Sequence, residues 1–203
     1  MKLSEIKSIG NHIIHLPALE RDNTNHLYYN HIAKFIRAYI NGLGNKINDN
    51  TAYNYIPYYY ENLYTICILL GRLGVNKVAD LGSGPGLALH VFREHLSLFK
   101  SIYTGFEIDK RFVPFGKALG IDIQVKDITK LKVEDISKFE ALYMYEPLIE
   151  EKLIEKFVKN LDKIMRNDQV IILASAGRMI CHFQKYFEIA QIDGTNIYLI
   201  TKK

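Results

Sequence analysis

The sequence predicts an α/β protein built on a doubly wound, mostly parallel sheet of about seven strands, and three observations support this. From residue 76 onward, short apolar runs alternate with segments whose apolar residues recur at helical spacing. The first apolar run, 77–81, leads directly into a turn that contains three glycines. Near the C-terminus, Asp193-Gly194 separates two strand-like runs, which is a typical β-hairpin signal.

The same alternation defines each element in order. The predicted strands cover 77–81, 102–107, 121–125, 139–145, 168–174, 186–192 and 196–201. The predicted helices cover 86–98, 111–119 and 148–165, with short helical turns near 133–137 and 177–184. Since a crossover connection separates each of the first five strands from the next, these strands should run parallel, and the hairpin should close the sheet with an antiparallel pair.

Residues 1–75 differ from the rest and are predicted to form a helical N-terminal cap on the domain over 76–203. Segment 26–43 has an apolar stripe at helical spacing, and 61–73 predicts a second helix. A polar loop and a tyrosine cluster around Pro57 lie between these two helices. The cluster consists of Tyr53, Tyr55, Tyr58, Tyr59 and Tyr60.

Composition and charge narrow the class of protein. Apolar residues make up 48% of the 203 residues, as in an ordinary globular domain. No apolar run approaches the roughly 20 residues that span a bilayer, so no membrane is expected as a partner. The net charge of +4 is small and the basic residues are scattered, which disfavours a dedicated nucleic-acid interface. Cys67 and Cys181 lie apart in apolar segments, which favours a cytoplasmic location.

The glycine turn carries the most informative motif, Asp80-Leu81-Gly82-Ser83-Gly84-Pro85-Gly86. Glycines permit positive φ angles and a close approach of the backbone to a ligand, and free N–H groups begin the helix that follows. The dinucleotide fingerprint needs its third glycine three positions after the second, where this sequence has Leu87. The pattern D-x-G-x-G-x-G resembles instead the first motif of class I S-adenosylmethionine (SAM) dependent methyltransferases.

This resemblance implies cofactor contacts for the residues of the turn. Gly82, Ser83, Gly84 and Gly86 would form the turn beneath the methionine part of SAM. Asp80 would contact the methionine amino group, because a carboxylate suits an ammonium group on charge grounds. The alternative for Asp80 is a structural one, in which its carboxylate caps the glycine turn.

Two further acids follow the next two predicted strands. Gly105-Phe106-Glu107 resembles the second methyltransferase motif, in which Glu107 would accept hydrogen bonds from both ribose hydroxyls. Asp109 is predicted to be the N-cap of the next helix. Asp127 resembles the acid that binds the adenine amino group, with Ile128 packing on the ring, and a turn or N-cap role is its alternative. Ligands of open α/β sheets bind at the carboxyl ends of the strands, where all three cofactor acids should converge.

The end of the fourth strand, Tyr145-Glu146-Pro147-Leu148, lies where the resembling enzymes place substrate-facing residues. It departs from the [N/D]-P-P-[Y/F] motif of enzymes that methylate nucleobase amino groups. Tyr145 and Glu146 are the catalytic candidates, which would orient a nucleophile or accept its proton. Equally, Pro147 suits the first position of a helix, and Glu146 would then only complement the helix dipole.

The tyrosine cluster resembles the lead-in segment of small Dot1-like lysine methyltransferases, which implies an aromatic channel that attracts a cationic amine. The alternative is a cluster that packs the N-terminal helices onto the core. The histidines lack the H-x-x-x-H and H-E-x-x-H spacings, so the sequence indicates no metal site.

These motifs together predict a SAM-dependent methyltransferase, of EC class 2.1.1, that uses S-adenosyl-L-methionine for direct methyl transfer to a nucleophile. A protein amine is the favoured acceptor, ahead of a small molecule and then of nucleic acid. The alternative is a SAM-binding partner subunit or sensor without catalysis, since intact cofactor acids fit both. An NAD-dependent oxidoreductase is a third hypothesis, which the glycine spacing disfavours.

Overall fold

The computed structural model describes residues 29–30, 32–34, 36, 58–96, 101–175 and 177–203. The described residues between 29 and 36 are helical, in agreement with the helix expected over 26–43. The rest of that segment, the polar loop after it, Tyr53 and Tyr55 lie outside the described residues.

Strands and helices alternate along the described chain in the predicted order. They are α1 (Tyr60–Arg72), β1 (Lys77–Leu81), α2 (Leu87–Leu96), β2 (Ile102–Glu107), α3 (Val113–Ala118), β3 (Asp122–Val125), α4 (Val133–Ile136), β4 (Ala141–Tyr145), α5 (Glu151–Ile164), β5 (Val170–Ala174), α6 (Ile180–Phe183), β6 (Phe187–Gln191) and β7 (Ile197–Lys202). Short 3-10 helices at Lys110–Phe112 and Ile128–Lys130 follow β2 and β3. Each strand prediction is therefore confirmed to within about two residues, the usual uncertainty of element ends.

The seven strands form one sheet in the order β3-β2-β1-β4-β5-β7-β6. Strands β1 to β5 are parallel, while β7 runs antiparallel to both β5 and β6. The chain moves outward from β1 to β3 and then returns to β4 on the other side of β1. This reversal opens a crevice at the carboxyl ends of β1 and β4, where open α/β sheets bind ligands.

Helices cover both faces of the sheet and bury one apolar stripe each. On one face α1 and α2 pack against alternate strand residues such as Val78 and Tyr143. On the other face α5 buries Ile154, Phe157 and Leu161 over a second cluster. None of the helices in the described ranges is both long and apolar enough to cross a bilayer.

The connection from β4 to α5 differs from the prediction of a helix over 148–165. Helix α5 begins at Glu151, four residues after Pro147, and Glu150 is its N-cap. Glu146 has a φ of 37°, in the left-handed region, so the chain turns sharply before the helix. The alternative in which Pro147 is the first helical residue and Glu146 complements the helix dipole is therefore wrong.

Candidate functional site

The glycine turn after β1 has the backbone geometry that its sequence predicts. Gly82, Gly84 and Gly86 have φ angles of 86°, 53° and 79°, which side chains other than hydrogen rarely allow. The N–H groups of Gly82 and Ser83 both donate to the carbonyl of Phe106, at 2.8 and 3.1 Å. The turn is thus fixed to the end of β2 and leads directly into α2.

Close packing explains two of the glycines at this edge. A Cβ on Gly82 would lie 2.5 Å from Cβ of Pro147, so the turn touches the segment that follows β4. A Cβ on Gly105 would lie 2.3 Å from Oγ of Ser83, so this glycine of β2 makes room for the turn. Gly105 was noted in the sequence only as part of a motif, and the structure shows its steric reason.

Glu107, at the end of β2, binds the glycine turn directly. Its Oε2 accepts a hydrogen bond of 2.7 Å from the N–H of Gly84, and its Oε1 accepts one of 2.9 Å from the N–H of Asp109. Since a carboxylate offers about four acceptor positions, Glu107 keeps the capacity to accept from a further donor such as a ligand hydroxyl.

Asp80, at the end of β1, lies beside Glu107 and is only 3% exposed. Burial raises the pKa of Asp80 well above its ordinary value, and the negative charge of Glu107 raises it further. Burial also raises the pKa of Glu107, although its hydrogen bonds from backbone N–H groups act in the opposite direction. No ion pair among the described residues includes either acid. Two neighbouring acids, one buried and one half-buried, that have no cation form an electrostatic site for a cationic ligand.

The two acids after β2 and β3 also have structural contacts. Asp109 is the N-cap that the sequence predicts, and its carboxylate accepts from the N–H and guanidinium of Arg111. Asp127 caps the next 3-10 helix, because its Oδ1 accepts from the N–H and hydroxyl of Thr129, and it pairs with Lys130 at 2.9 Å. The N-cap alternative for Asp127 is therefore correct as a structural role, and its adenine contact stays a prediction.

The apolar side chains near Asp127 differ in their exposure, and the packing of Ile128 on an adenine ring stays a prediction. Ile128 is buried in the core cluster under the sheet. The apolar side chains exposed at this edge are Ile108, at 53%, and Val125, at 54%. Ile108 directly follows β2 and Val125 is the last residue of β3. This combination of position and apolar type is the signal by which the sequence could have indicated them.

Glu146 is held by a residue that sequence reasoning missed. The hydroxyl of Ser175, directly after β5, donates to Oε1 of Glu146 at 2.5 Å and accepts from the N–H of Gly177 at 2.9 Å. Ser175 is buried, so its hydroxyl is committed to these two partners. A non-glycine residue at positive φ costs about 1–3 kcal/mol, and such strain is concentrated at functional sites. The sequence could have indicated Ser175 only by its position, directly after the carboxyl end of a predicted strand.

The tyrosine cluster divides into members with different contacts. Tyr58 stacks on Tyr145 with ring centroids 4.4 Å apart, and its hydroxyl donates to Oδ1 of Asn196 at 2.5 Å. Tyr29 from the N-terminal helix donates to the carbonyl of Tyr58 at 2.5 Å. Tyr60 is buried and bonds His95 at 2.7 Å, which fits the packing alternative, whereas Tyr59 is 73% exposed. Tyr58 therefore joins the N-terminal helix to the ends of the fourth strand and the hairpin.

Tyr143 lies on β4 directly beside Asp80 in the sheet register. It is fully buried, its ring packs edge-on against Phe92, and its hydroxyl has no hydrogen-bond partner among the described residues. Burial raises its pKa, and the charge of Asp80 raises it further. An orphaned buried hydroxyl beside an unpaired buried acid marks a polar site that the described residues leave incomplete.

No cluster of metal-ligating side chains occurs within the described ranges. No family model matches the sequence, and no curated protein matches it. Solved structures do match. The methyltransferase domain of bacterial CtHen1 superposes with a TM-score of 0.56 and 16% identity, over 70% of this chain and 97% of that one.

Two further structures show the same architecture. The methyltransferase PaMTH1 of Podospora anserina, bound to S-adenosylhomocysteine (SAH), has a TM-score of 0.55 and 7% identity, covering 70% of this chain and 78% of its own. A TehB-like SAM-dependent methyltransferase of Corynebacterium glutamicum has a TM-score of 0.51 and 16% identity. The match covers 87% of this chain and 99% of that one. The fold is that of the class I methyltransferases. The narrower resemblance to the Dot1-like group stays a prediction.

Proposed function

We propose that the protein is a SAM-dependent methyltransferase. The observation that carries the proposal is the pair of acids at the glycine turn of a methyltransferase fold, the buried Asp80 and the half-buried Glu107. Neither acid has a cationic partner among the described residues, and SAM brings an ammonium group and two ribose hydroxyls. The residues present therefore fit the cofactor in charge and in hydrogen-bonding type.

Each group at the crevice has a defined task in this proposal. Asp80 holds the amino group of the cofactor, and the ionised carboxylate then has the countercharge that it lacks in the free protein. Glu107 accepts the ribose hydroxyls while it fixes the glycine turn through Gly84. Asp127 and Ile128 are proposed at the adenine end, with the exposed Ile108 and Val125 offering apolar surface there.

When bound, SAM supplies an activated methyl group on a sulfonium. The protein contributes positioning and the exclusion of water, which convert a bimolecular step into an effectively intramolecular one. Tyr145 and Glu146, at the end of β4, are proposed to orient the acceptor and to take its proton. The packing of Pro147 on Gly82 keeps Glu146 next to the cofactor turn.

The second candidate function is a SAM-binding subunit or sensor without catalysis. The cofactor acids fit this function equally, but the strained and hydrogen-bonded Glu146 favours an enzyme, since a sensor needs no group at the acceptor side.

The test is methyl transfer from SAM tritiated at its methyl group, with purified protein and a cell extract as the source of acceptors. We expect labelled product that depends on the protein and is lost in Asp80→Asn. Tight SAM binding without any transfer would favour the sensor, and absence of SAM binding would reject both functions.

A further inference from the structure

Charge at the crevice is distributed unevenly. Asp80, Glu107 and Glu146 lie at the carboxyl ends of neighbouring strands, and none of them belongs to an ion pair of the described residues. Three basic side chains that follow β2 and β3 are paired: Arg111 with Asp109, Lys126 with Asp135 and Lys130 with Asp127. Lys110 and Arg178 are exposed to solvent and form no ion pair with the described residues. The open acids therefore favour positively charged ligands.

The cofactor accounts for only two of these three acids. In the proposed function Asp80 takes the ammonium of SAM and Glu107 takes the ribose, which leaves Glu146 for the acceptor. Glu146 is the one non-glycine residue of the described chain at positive φ. Its carboxylate is fixed by Ser175, whose own hydroxyl is fixed by the N–H of Gly177. A carboxylate that lies on a strained backbone and accepts from a fixed hydroxyl is suited to one defined partner.

Aromatic residues surround the chain position of Glu146. Tyr145 precedes Glu146 in the chain and stacks on Tyr58, which Asn196 and Tyr29 hold in place. The buried hydroxyl of Tyr143, without a hydrogen-bond partner among the described residues, lies on the same face of β4 as Tyr145. Aromatic faces next to a carboxylate attract an organic cation more than a neutral alcohol.

We propose that the acceptor is an aliphatic amine, which binds as its cation beside Tyr145, whose ring packs on the buried Tyr58, with its nitrogen directed to Glu146. Ser175 is the positioning residue that holds the Glu146 carboxylate. This inference rests on the proposed methyltransferase function and names the acceptor of that site.

Methyl transfer to the amine begins with the loss of a proton. The bound ammonium gives one proton to Glu146, from which the proton passes to water, and the nearby sulfonium charge favours this loss. The nitrogen lone pair then forms a bond to the methyl carbon. The carbon–sulfur bond breaks with its electron pair on sulfur, so SAH leaves and the product is a methylated ammonium.

The test uses cofactor analogues that carry a side arm, which extends from the cofactor site toward the acceptor side. Three analogues of SAH have nitrogen in place of sulfur and carry a 4-aminobutyl, a 4-hydroxybutyl or a pentyl arm on it. Binding of each to the full chain is measured by calorimetry, with SAH as the reference. We expect the aminobutyl analogue to bind at least about tenfold more tightly than the other two, as for a hydrogen bond between charged groups.

Variants show which residues cause the preference for the aminobutyl arm. It should disappear in Glu146→Gln, decrease in Ser175→Ala and return in Ser175→Thr, which keeps the hydroxyl. Glu155→Gln is the matched control, because Glu155 lies on the exposed side of α5 and pairs with Lys185. SAH itself should bind all four variants as it binds the wild type.

Equal affinity of the wild type for the three arms, with SAH still bound, would overturn the amine proposal and leave the proposed function intact. Failure of SAH to bind would overturn the proposed function. A protein lysine and a free amine offer the same primary amino group. To distinguish these two sources, tritiated SAM is supplied either with the peptide acetyl-Gly-Lys-Gly-amide or with n-butylamine. Transfer to either supports the proposal and assigns the source, and transfer to neither counts against it.

Discussion

The main-chain N–H of Gly84 donates a hydrogen bond of 2.7 Å to Oε2 of Glu107. This bond joins the glycine turn after β1 to the acid that ends β2, the two features by which the sequence indicated a cofactor. One side chain thus shapes the turn and, in the proposed function, binds the ribose. Loss of Glu107 should therefore affect both the ligand contact and the shape of the turn.

Replacing Glu107 by alanine should weaken SAH binding by about 1.5–3 kcal/mol, the usual loss for hydrogen bonds to a charged group. The same loss should appear with 5′-methylthioadenosine, which has the ribose but lacks the amino acid part. Calorimetry with both ligands measures this loss. The control is Asp122→Asn, at the amino end of β3 and so away from the carboxyl ends of the strands. Unchanged affinity in a folded variant would refute the ribose assignment.

Asp80→Asn should weaken the binding of SAH but not that of 5′-methylthioadenosine. We expect SAH to bind more weakly by about 1.5–3 kcal/mol, because the variant removes the partner of the ammonium, while 5′-methylthioadenosine binds normally. Without ligand, the variant should melt at a higher temperature than the wild type, since it removes a buried charge that has no cation. Parallel losses for the two ligands would place Asp80 elsewhere than at the amino group.

Stability of the free protein should depend on pH through the same pair. Burial, and then the charge of Glu107, raises the pKa of Asp80 above its ordinary 3.8, and burial raises that of Glu107 above 4.5. Between the ordinary and the raised values the folded chain binds more protons than the unfolded chain. The contribution of these acids is therefore complete below about pH 4 and is lost as the pH rises through the raised pKa values.

Urea unfolding of the wild type and of Asp80→Asn over a pH series measures this effect. The difference in free energy of unfolding between the two proteins isolates Asp80 from carboxylates such as Asp109, whose pKa is lowered. We expect the wild type to lose stability relative to the variant as the pH rises. A constant difference across the range would show that Asp80 has the same pKa in both states.

Gly82→Ala should destabilise the protein more than Gly74→Ala. Both glycines have positive φ, 86° and 66°, but only the Cβ at position 82 meets a neighbour, Pro147 at 2.5 Å. Gly74→Ala should cost about 1 kcal/mol of backbone strain, and Gly82→Ala a further 1–3 kcal/mol, roughly the cost of overpacking. Thermal unfolding compares them, and equal losses would show that the contact with Pro147 yields easily.

The sheet and the cofactor motif were predictable because they depend on local patterns. The apolar run before Gly82 indicates a buried strand whatever surrounds it, and glycine spacing is itself a backbone requirement. Asp109 as an N-cap was predictable for the same reason, since capping acts within three residues.

The acceptor side was not predictable in this way. The bond between Ser175 and Glu146 joins residues 29 positions apart, at the ends of two strands whose pairing only the fold defines. The left-handed backbone of Glu146 has no sequence signature, because a glutamate before proline ordinarily avoids it. The sequence therefore indicated Glu146 as a candidate but not the contacts that hold it.

The most direct measurement of the central claim is a calorimetric titration of the purified protein with SAM and SAH, with NADH as the comparison ligand. We expect a single site of micromolar affinity for both SAM and SAH, and no binding of NADH. Folded protein that binds neither SAM nor SAH, or that binds NADH instead, would contradict the assignment of the glycine turn and its two acids to this cofactor.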